Sequence, residues 1–244
     1  RSGPRPAIFA IHGGGYVMGT ADMYDVSFDR WCTDLGIVGV SVDYRLAPET
    51  PCPGPLEDCY AALGWTHQHA DELGVDPNGI GIAGISAGGG LAAALALLAR
   101  DRGDIPIAFQ LLDGPMLDDR SRTPSMQADG LFVWTREANN FGWRAYLGEL
   151  YGSDDVPPYA APARATDLTG LPPAFISVGS IDGFRDEDVE YAQRLNQAGV
   201  PCELHVYPGV PHGYQVAQRS DVVRRAARHI EEWLSAQLEA PCAS

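Results

Sequence analysis

Short apolar runs alternate with segments of helical periodicity along most of the chain. Strands are predicted at Ala7–Ile11, Ile37–Val42, Ile80–Ala83, Ile105–Leu112, Pro173–Val178 and Glu203–Tyr207. Helices are predicted at Met23–Leu35, Leu56–Leu73, Ala87–Arg100, Glu187–Ala198 and Gln218–Leu238. This alternation is typical of an α/β protein in which a mostly parallel sheet carries helices on both faces. The chain is 244 residues long, and we expect a single domain over residues 1–244.

The alternation is interrupted between residues 114 and 172, where no clear core strand is present. This segment carries five aromatic residues: Phe132, Trp134, Phe141, Trp143 and Tyr146. Long excursions within compact domains are usually functional lids or binding loops. We therefore predict a lid or cap-like insertion over 114–172, in which Phe132 and Trp134 bind substrate. The alternative is a helical packing insert that contacts no ligand.

A serine lies at the junction between the third predicted strand and the helix that follows it. The sequence Gly84–Ile85–Ser86–Ala87–Gly88 fits the pattern G-x-S-x-G. After a strand and before a helix, this pattern is typical of a sharp turn that exposes a nucleophilic serine. The sequence therefore predicts that Ser86 is a catalytic nucleophile.

A run of glycines follows the first predicted strand, in His12–Gly13–Gly14–Gly15. Consecutive glycines expose backbone N–H groups that can converge on one oxygen, as an oxyanion hole requires. A phosphate loop and a simple tight turn are the alternatives, but neither phosphate-binding glycine motif is completed here. We expect His12 to pin this loop by a hydrogen bond rather than to act as a base.

A nucleophilic serine needs a base and an acid that orients the base. Three histidines follow Ser86: we expect His205 to be structural and His229 to lie on a solvated helix face, whereas His212 follows the last strand. Acids follow the preceding strand. Asp182 lies in the turn itself, whereas Asp186, Glu187 and Asp188 fall in the first turn of a helix and there complement its dipole. We predict His212 as the base and Asp182 as the acid, with Asp186 as the alternative acid.

Charge limits the classes of possible partner, and the cysteine content indicates the cellular compartment. The formal net charge is −15, which disfavours nucleic acid and membrane surfaces as partners. All 17 basic residues are arginines, so lysine-based catalysis is excluded. The five cysteines are scattered and contain no C-x-x-C pair, which favours a reducing compartment, and we expect a cytoplasmic location. The alternative to free thiols is a disulfide between Cys52 and Cys59.

Together these motifs resemble the bacterial hormone-sensitive-lipase-like family of esterases. The matching residues are His12–Gly15 with Tyr16, Asp43–Glu49, Ser86–Gly89, Asp182 with Arg185–Glu187, and His212–Tyr214. The resemblance implies an α/β-hydrolase fold and a triad of Ser86, Asp182 and His212. It also implies that the N–H groups of Gly14, Gly15 and Ala87 bind the oxyanion. Tyr16 is a further candidate for substrate binding.

The chain departs from the family pattern at several positions. Ile85 stands where the family usually has Asp, Asp113 stands where an aromatic residue is common, and Gly183 replaces a usual Pro and could loosen the acid-bearing turn. The family's N-terminal cap helices and first two strands have no counterpart, so we expect either a fragment or a chain that lacks them. A second copy of the chain, in a homodimer, would cover the surface exposed in this way.

The predicted activity is hydrolysis of small, mostly apolar carboxylic esters through an acyl-enzyme, with no metal and no cofactor. The first alternative is an amidase or deacetylase that uses the same triad. A second alternative is a ligand-binding relative without catalysis. Such receptors lack the histidine of the triad, whereas this chain has His212 at that position. An inactive fragment is the remaining alternative.

Overall fold

A computed structural model of the protein describes residues 3–239. Six strands form one sheet: β1 Arg5–Ile11, β2 Val38–Val42, β3 Val75–Ile85, β4 Gln110–Asp113, β5 Ala174–Gly179 and β6 Cys202–Tyr207. Their order in the sheet is β2-β1-β3-β4-β5-β6, and every neighbouring pair is parallel. The predicted parallel α/β sheet is confirmed. All six strands therefore end at the same edge of the sheet.

Helices cover both faces of this sheet. They are α1 Asp25–Asp34, α2 Gly54–Gln68, α3 Ala70–Leu73, α4 Ala87–Arg102, α5 Pro124–Gln127, α6 Arg136–Leu147, α7 Arg185–Gln197 and α8 Asp221–Glu239. On one face α2, α4 and α7 share a core with α6. On the other face α1 and α8 pack through aromatic and aliphatic side chains.

The alternation of side chains along β1 shows how the sheet separates the two cores. Ile8 and Ala10 face α1 and α8, whereas Phe9 and Ile11 face α4, and all four side chains are at most 1% exposed. A strand buried on both faces has no polar side to display. For this reason its sequence is a continuous apolar run.

Several predicted boundaries differ from the structure. The segment predicted as one helix from Leu56 to Leu73 is broken at His69, which leaves α2 and α3 as separate helices. β3 begins at Val75, five residues before the prediction, because the predicted turn at Asp76–Gly79 forms an irregularity within the strand. β4 begins only at Gln110, although the N–H of Ala108 already donates to β3.

The segment 114–172 contains α5 and α6 and no strand within the described part of the chain. Its inner side is anchored in the core, because Trp143 and Tyr146 are fully buried against Tyr16. A buried ion pair between Arg164 and Asp119, with Nε and Oδ1 2.6 Å apart, ties its two ends together. Its outer side exposes apolar residues, so the segment combines a packing layer with an apolar surface.

The cysteines do not form the alternative disulfide. Cys32, Cys52, Cys59 and Cys202 are all free thiols, and Cys59 is buried in the core. Cys242 lies outside the described residues. Across residues 3–239, no helix is long and apolar enough to cross a membrane.

Candidate active site

Ser86 occupies the turn between β3 and α4, as the G-x-S-x-G pattern predicts. Its backbone has φ 57° and ψ −122°, a strained conformation that non-glycine residues rarely adopt. The turn is held by a hydrogen bond from the Ser86 N–H to the carbonyl of Asp113, 2.9 Å long. A Cβ on Gly84 would lie 2.1 Å from the carbonyl oxygen of Gly88, so only glycine fits before the serine.

The glycine loop after β1 packs directly against this turn. A Cβ on Gly13 would lie 2.9 Å from the carbonyl oxygen of Ile85 and 3.2 Å from the Cβ of Ser86. His12 stacks on Tyr44, with ring centroids 4.2 Å apart, and its Nδ1 donates to the Gly13 carbonyl at 2.8 Å. Burial lowers the pKa of His12, which favours the neutral ring. The predicted pinning role of His12 is consistent with this geometry.

Three backbone N–H groups of the glycine loop and of the start of α4 have no partner in the described part of the chain. Within residues 3–239, the N–H groups of Gly14, Gly15 and Ala87 form no hydrogen bond. Gly14 and Gly15 have φ of 116° and 60°, which orients the loop as an ordinary residue could not without strain. Ala87 is the first residue of the 16-residue helix α4, so the positive end of its dipole lies next to Ser86. Free donors and a helix N-terminus are what a developing oxyanion requires.

The structure brings His212 and Asp182 to Ser86. The Nε2 atom of His212 lies 2.9 Å from the Oγ of Ser86, and its Nδ1 lies 2.7 Å from the Oδ2 of Asp182. The second carboxylate oxygen of Asp182 accepts the N–H of Phe184 at 2.9 Å. The ring of Phe184 packs edge-on to the imidazole, with centroids 4.9 Å apart. All three polar side chains are buried, so the chain Asp182–His212–Ser86 is shielded from bulk water.

Hydrogen bonds and packing hold the turn that carries Asp182, where Gly183 replaces a usual proline. The Gly183 carbonyl accepts the hydroxyl of Ser125 at 2.7 Å, and the guanidinium of Arg185 donates to the carbonyl of Ser180 at 2.9 Å. A Cβ on Gly183 would lie 2.8 Å from the Cε of Met126. The turn is therefore closed by packing and hydrogen bonds that do not depend on proline.

The other two histidines form a separate cluster on β6 and α8. His205 stacks on Phe175, and its Nε2 lies 2.6 Å from the Oε1 of Glu203, consistent with the predicted structural role. His229, predicted to lie on a solvated face, is half-buried. Its ring lies 4.5 Å from His205 and accepts or donates a hydrogen bond at the Tyr207 hydroxyl, because α8 packs that face onto the sheet.

Asp186, the alternative acid, contacts Ser125 and Arg185 and has no hydrogen bond to His212. Glu187 and Asp188 lie in the first turn of α7, as predicted, and both side chains are buried. One oxygen of Glu187 accepts the N–H groups of Leu117 and Asp118, at 2.8 and 3.1 Å, so its role is to cap the segment after β4.

The three predicted substrate contacts occupy different environments. Tyr16 is 1% exposed, stacks on Tyr146 and donates to the carbonyl of Met116, which makes it a core residue and gives no support to substrate contact. Phe132 is 70% exposed. Trp134 lies between the glycine loop and His212: a Cβ on Gly15 would meet its Cη2 at 2.1 Å, and its ring lies 6.5 Å from that of His212.

Comparison with known proteins gives a consistent family. A family model described as alpha/beta hydrolase fold matches residues 8–216. Esterase LipI of Mycobacterium tuberculosis is 41% identical over 211 residues, which are 86% of this chain and 65% of that protein. Carboxylesterase NlhH of the same species is 42% identical over 214 residues, 86% of this chain and 66% of that one. The chain thus spans just under two thirds of the length of these relatives.

A solved structure described as a bacterial heroin esterase is similar over almost the whole chain. It has a TM-score of 0.96 and 48% sequence identity, and the match covers 98% of this chain and 77% of that one. The chain therefore belongs to the α/β-hydrolase fold family, in the hormone-sensitive-lipase-like group that its motifs predict.

Proposed function

We propose that the chain is a serine carboxylesterase in which Ser86 is the nucleophile, His212 the general base and acid, and Asp182 the orienting acid. The observation that carries this proposal is the hydrogen-bonded series from Ser86 Oγ to His212 Nε2 at 2.9 Å and from His212 Nδ1 to Asp182 Oδ2 at 2.7 Å. The names of the similar proteins, all esterases, support ester substrates.

The chemistry proceeds in two halves. Ser86 Oγ attacks the ester carbonyl carbon while His212 Nε2 takes the hydroxyl proton, and the negative charge forms on the carbonyl oxygen beside the free N–H groups of Gly14, Gly15 and Ala87. The bond to the alcohol then breaks as Nε2 returns the proton to the leaving oxygen. Water repeats the sequence on the acyl-enzyme and releases the carboxylic acid.

A small, apolar ester fits the surroundings of Ser86. Trp134 packs over Gly15 and approaches His212, and the side chain of Val133 lies close to Gly213, where an added Cβ would be 3.4 Å from it. Phe132 and Val133 are 70% and 62% exposed, so apolar surface borders the site on the side of residues 114–172. We propose that this segment forms one wall of the acyl or alcohol pocket, as the predicted lid requires.

The test is covalent labelling of Ser86 with a fluorophosphonate, read by mass spectrometry, together with hydrolysis of p-nitrophenyl acetate. We expect one adduct on Ser86, and neither adduct nor turnover in the Ser86→Ala variant. Ser153→Ala is the matched control, because Ser153 only caps an exposed turn through the N–H of Asp155. Labelling that persists in the Ser86→Ala variant would refute the proposed nucleophile.

Two further measurements define the reaction. A histidine base must be neutral, and histidine side chains ordinarily titrate near pH 6.5, so we expect activity to fall as the pH is lowered from about 7 to about 5. A flat rate over that range contradicts a histidine base. Turnover of p-nitroacetanilide at a rate equal to the ester would favour the amidase alternative. The homodimer and the cytoplasmic location stay predictions.

A further inference from the structure

Asp113 is the last residue of β4 and lies between the strands that carry the nucleophile and the acid. It pairs with Ile85 of β3 on one side and with Ser177 of β5 on the other. Its carbonyl accepts the N–H of Ser86 at 2.9 Å, so its main chain helps to fix the nucleophile turn. Its side chain is buried and therefore needs partners for both carboxylate oxygens.

Those partners belong to the turn that carries the base. Oδ1 accepts the hydroxyl of Tyr214 at 3.2 Å and the hydroxyl of Ser177 at 2.7 Å, and Oδ2 accepts the amide of Gln215 at 2.6 Å. Tyr214 and Gln215 follow His212 by two and three residues and begin a short 3-10 turn. One residue thus binds the Ser86 turn through its backbone and the His212 turn through its side chain.

The charge of this carboxyl also bears on the site. Burial raises the pKa of Asp113, while the donors from Ser177, Gln215 and Tyr214 and the proximity of His212 act in the opposite direction. The titratable groups that face it are His212, Asp188 of α7, and three tyrosines, Tyr24, Tyr207 and Tyr214. Facing His212 itself are Asp182, through a hydrogen bond, and Asp113, through space.

We propose that Asp113 is a positioning residue, which fixes the distance between His212 and Ser86 by holding both of their turns and places a carboxyl charge near the imidazole. This inference rests on the proposed function. The two turns come from parts of the chain 126 residues apart, and a displacement of about 1 Å between reacting groups can reduce a rate about 100-fold. A single residue that binds both turns limits that displacement.

The test uses Asp113→Asn and Gln215→Ala, with p-nitrophenyl acetate as substrate from pH 5 to pH 9. The second variant removes the contact to Gln215 while it keeps the carboxyl. The first keeps that contact, because the Gln215 amide can turn so that its Oε1, unpartnered within residues 3–239, accepts an N–H of the new amide, and it changes only the charge. We expect kcat to fall about tenfold in Gln215→Ala with little change in KM, because the turn loses its anchor, and to stay within about threefold of the wild type in Asp113→Asn. Loss of a negative charge near an imidazole disfavours protonation, so the acid limb of the Asp113→Asn profile should move about 0.5 to 1 pH unit lower. In Gln215→Ala the limb should stay in place.

Asp119→Asn is the matched control, because Asp119 is also a buried carboxylate but bonds Arg164 within the 114–172 segment. We expect it to lower the unfolding temperature without moving the acid limb.

The outcomes separate the two proposals. The positioning role alone is overturned by three results together. The wild type is active, folded Asp113→Asn has the wild-type kcat and acid limb, and Gln215→Ala has the wild-type kcat. A wild type that neither hydrolyses the ester nor labels at Ser86 overturns the proposed function and the positioning role with it. If Asp113→Asn does not fold, Gln215→Ala decides: unchanged kcat refutes the role.

Discussion

Replacing Asp182 by Asn tests the triad through the tautomer of its histidine. In the structure Oδ1 of Asp182 accepts the Phe184 N–H and Oδ2 accepts the proton on His212 Nδ1, so both oxygens are acceptors. The Asn side chain keeps one acceptor. Because the Phe184 N–H can only donate, the amide oxygen will stay there, and the amide NH₂ will face Nδ1.

This arrangement reverses the tautomer of the imidazole. An amide donor at Nδ1 requires a lone pair there, so the ring proton moves to Nε2, which then donates to Ser86 Oγ instead of accepting its proton. A base in that tautomer cannot activate the hydroxyl. In serine proteases the same change costs about 10⁴ in kcat with the geometry intact, which corresponds to about 5.5 kcal/mol of barrier. We expect a loss of that order in the Asp182→Asn variant and little change in KM.

The assay is steady-state hydrolysis of p-nitrophenyl acetate, with circular dichroism and thermal unfolding to show that the variant is folded. Asp186→Asn is the matched control: it alters the acid four residues further on, which contacts Ser125 and Arg185 and not the imidazole. We expect its kcat to stay within about tenfold of the wild type. A folded Asp182→Asn enzyme with near wild-type kcat, or the large loss in Asp186→Asn instead, would show that the acid has been misassigned.

Two further predictions concern the glycine loop and a buried acid. In Gly15→Ala the new Cβ would lie 2.1 Å from Trp134 Cη2, at a φ of 60°. We expect steady-state kcat to fall about 100-fold because the N–H donor of residue 15 moves, and to recover in part when Trp134→Ala is added. Unchanged kcat in the single variant would contradict this. Burial raises the pKa of Asp188 well above its ordinary value. The folded chain therefore holds a proton on Asp188 that the unfolded chain loses above about pH 4. The free energy of unfolding consequently falls as the pH rises above about 4. Asp188→Asn should remove this slope, so its unfolding free energy relative to wild type, measured by urea denaturation, should increase from pH 5 to pH 8 by at most about 1.4 kcal/mol per pH unit. An equal difference at both pH values would refute the buried charge effect.

The local sequence was sufficient to predict the three side chains that the structure brings together as the proposed triad. Ser86 was found because a buried strand, a small-residue turn and a strong helix former follow one another, and each of these is determined by neighbouring residues. Asp182 and His212 were found because each follows a predicted strand. In a parallel sheet all strand C-termini lie at one edge, so residues that are 126 positions apart meet there.

The tertiary structure decided which polar and aromatic residues face the site and which face the core. Tyr16 follows the glycine loop in sequence, but packing against Tyr146 buries it. Glu187 and Asp188 have the sequence of an exposed first helical turn, yet α7 turns them into the protein. Asp113 is distinguished in the sequence only as an acid at a strand end, and its contacts to Tyr214 and Gln215 exist only after β4 and the turn beyond β6 are assembled. Periodicity reports which positions are apolar, whereas the partners of a buried polar group come from distant parts of the chain and are fixed only when the helices pack onto the sheet.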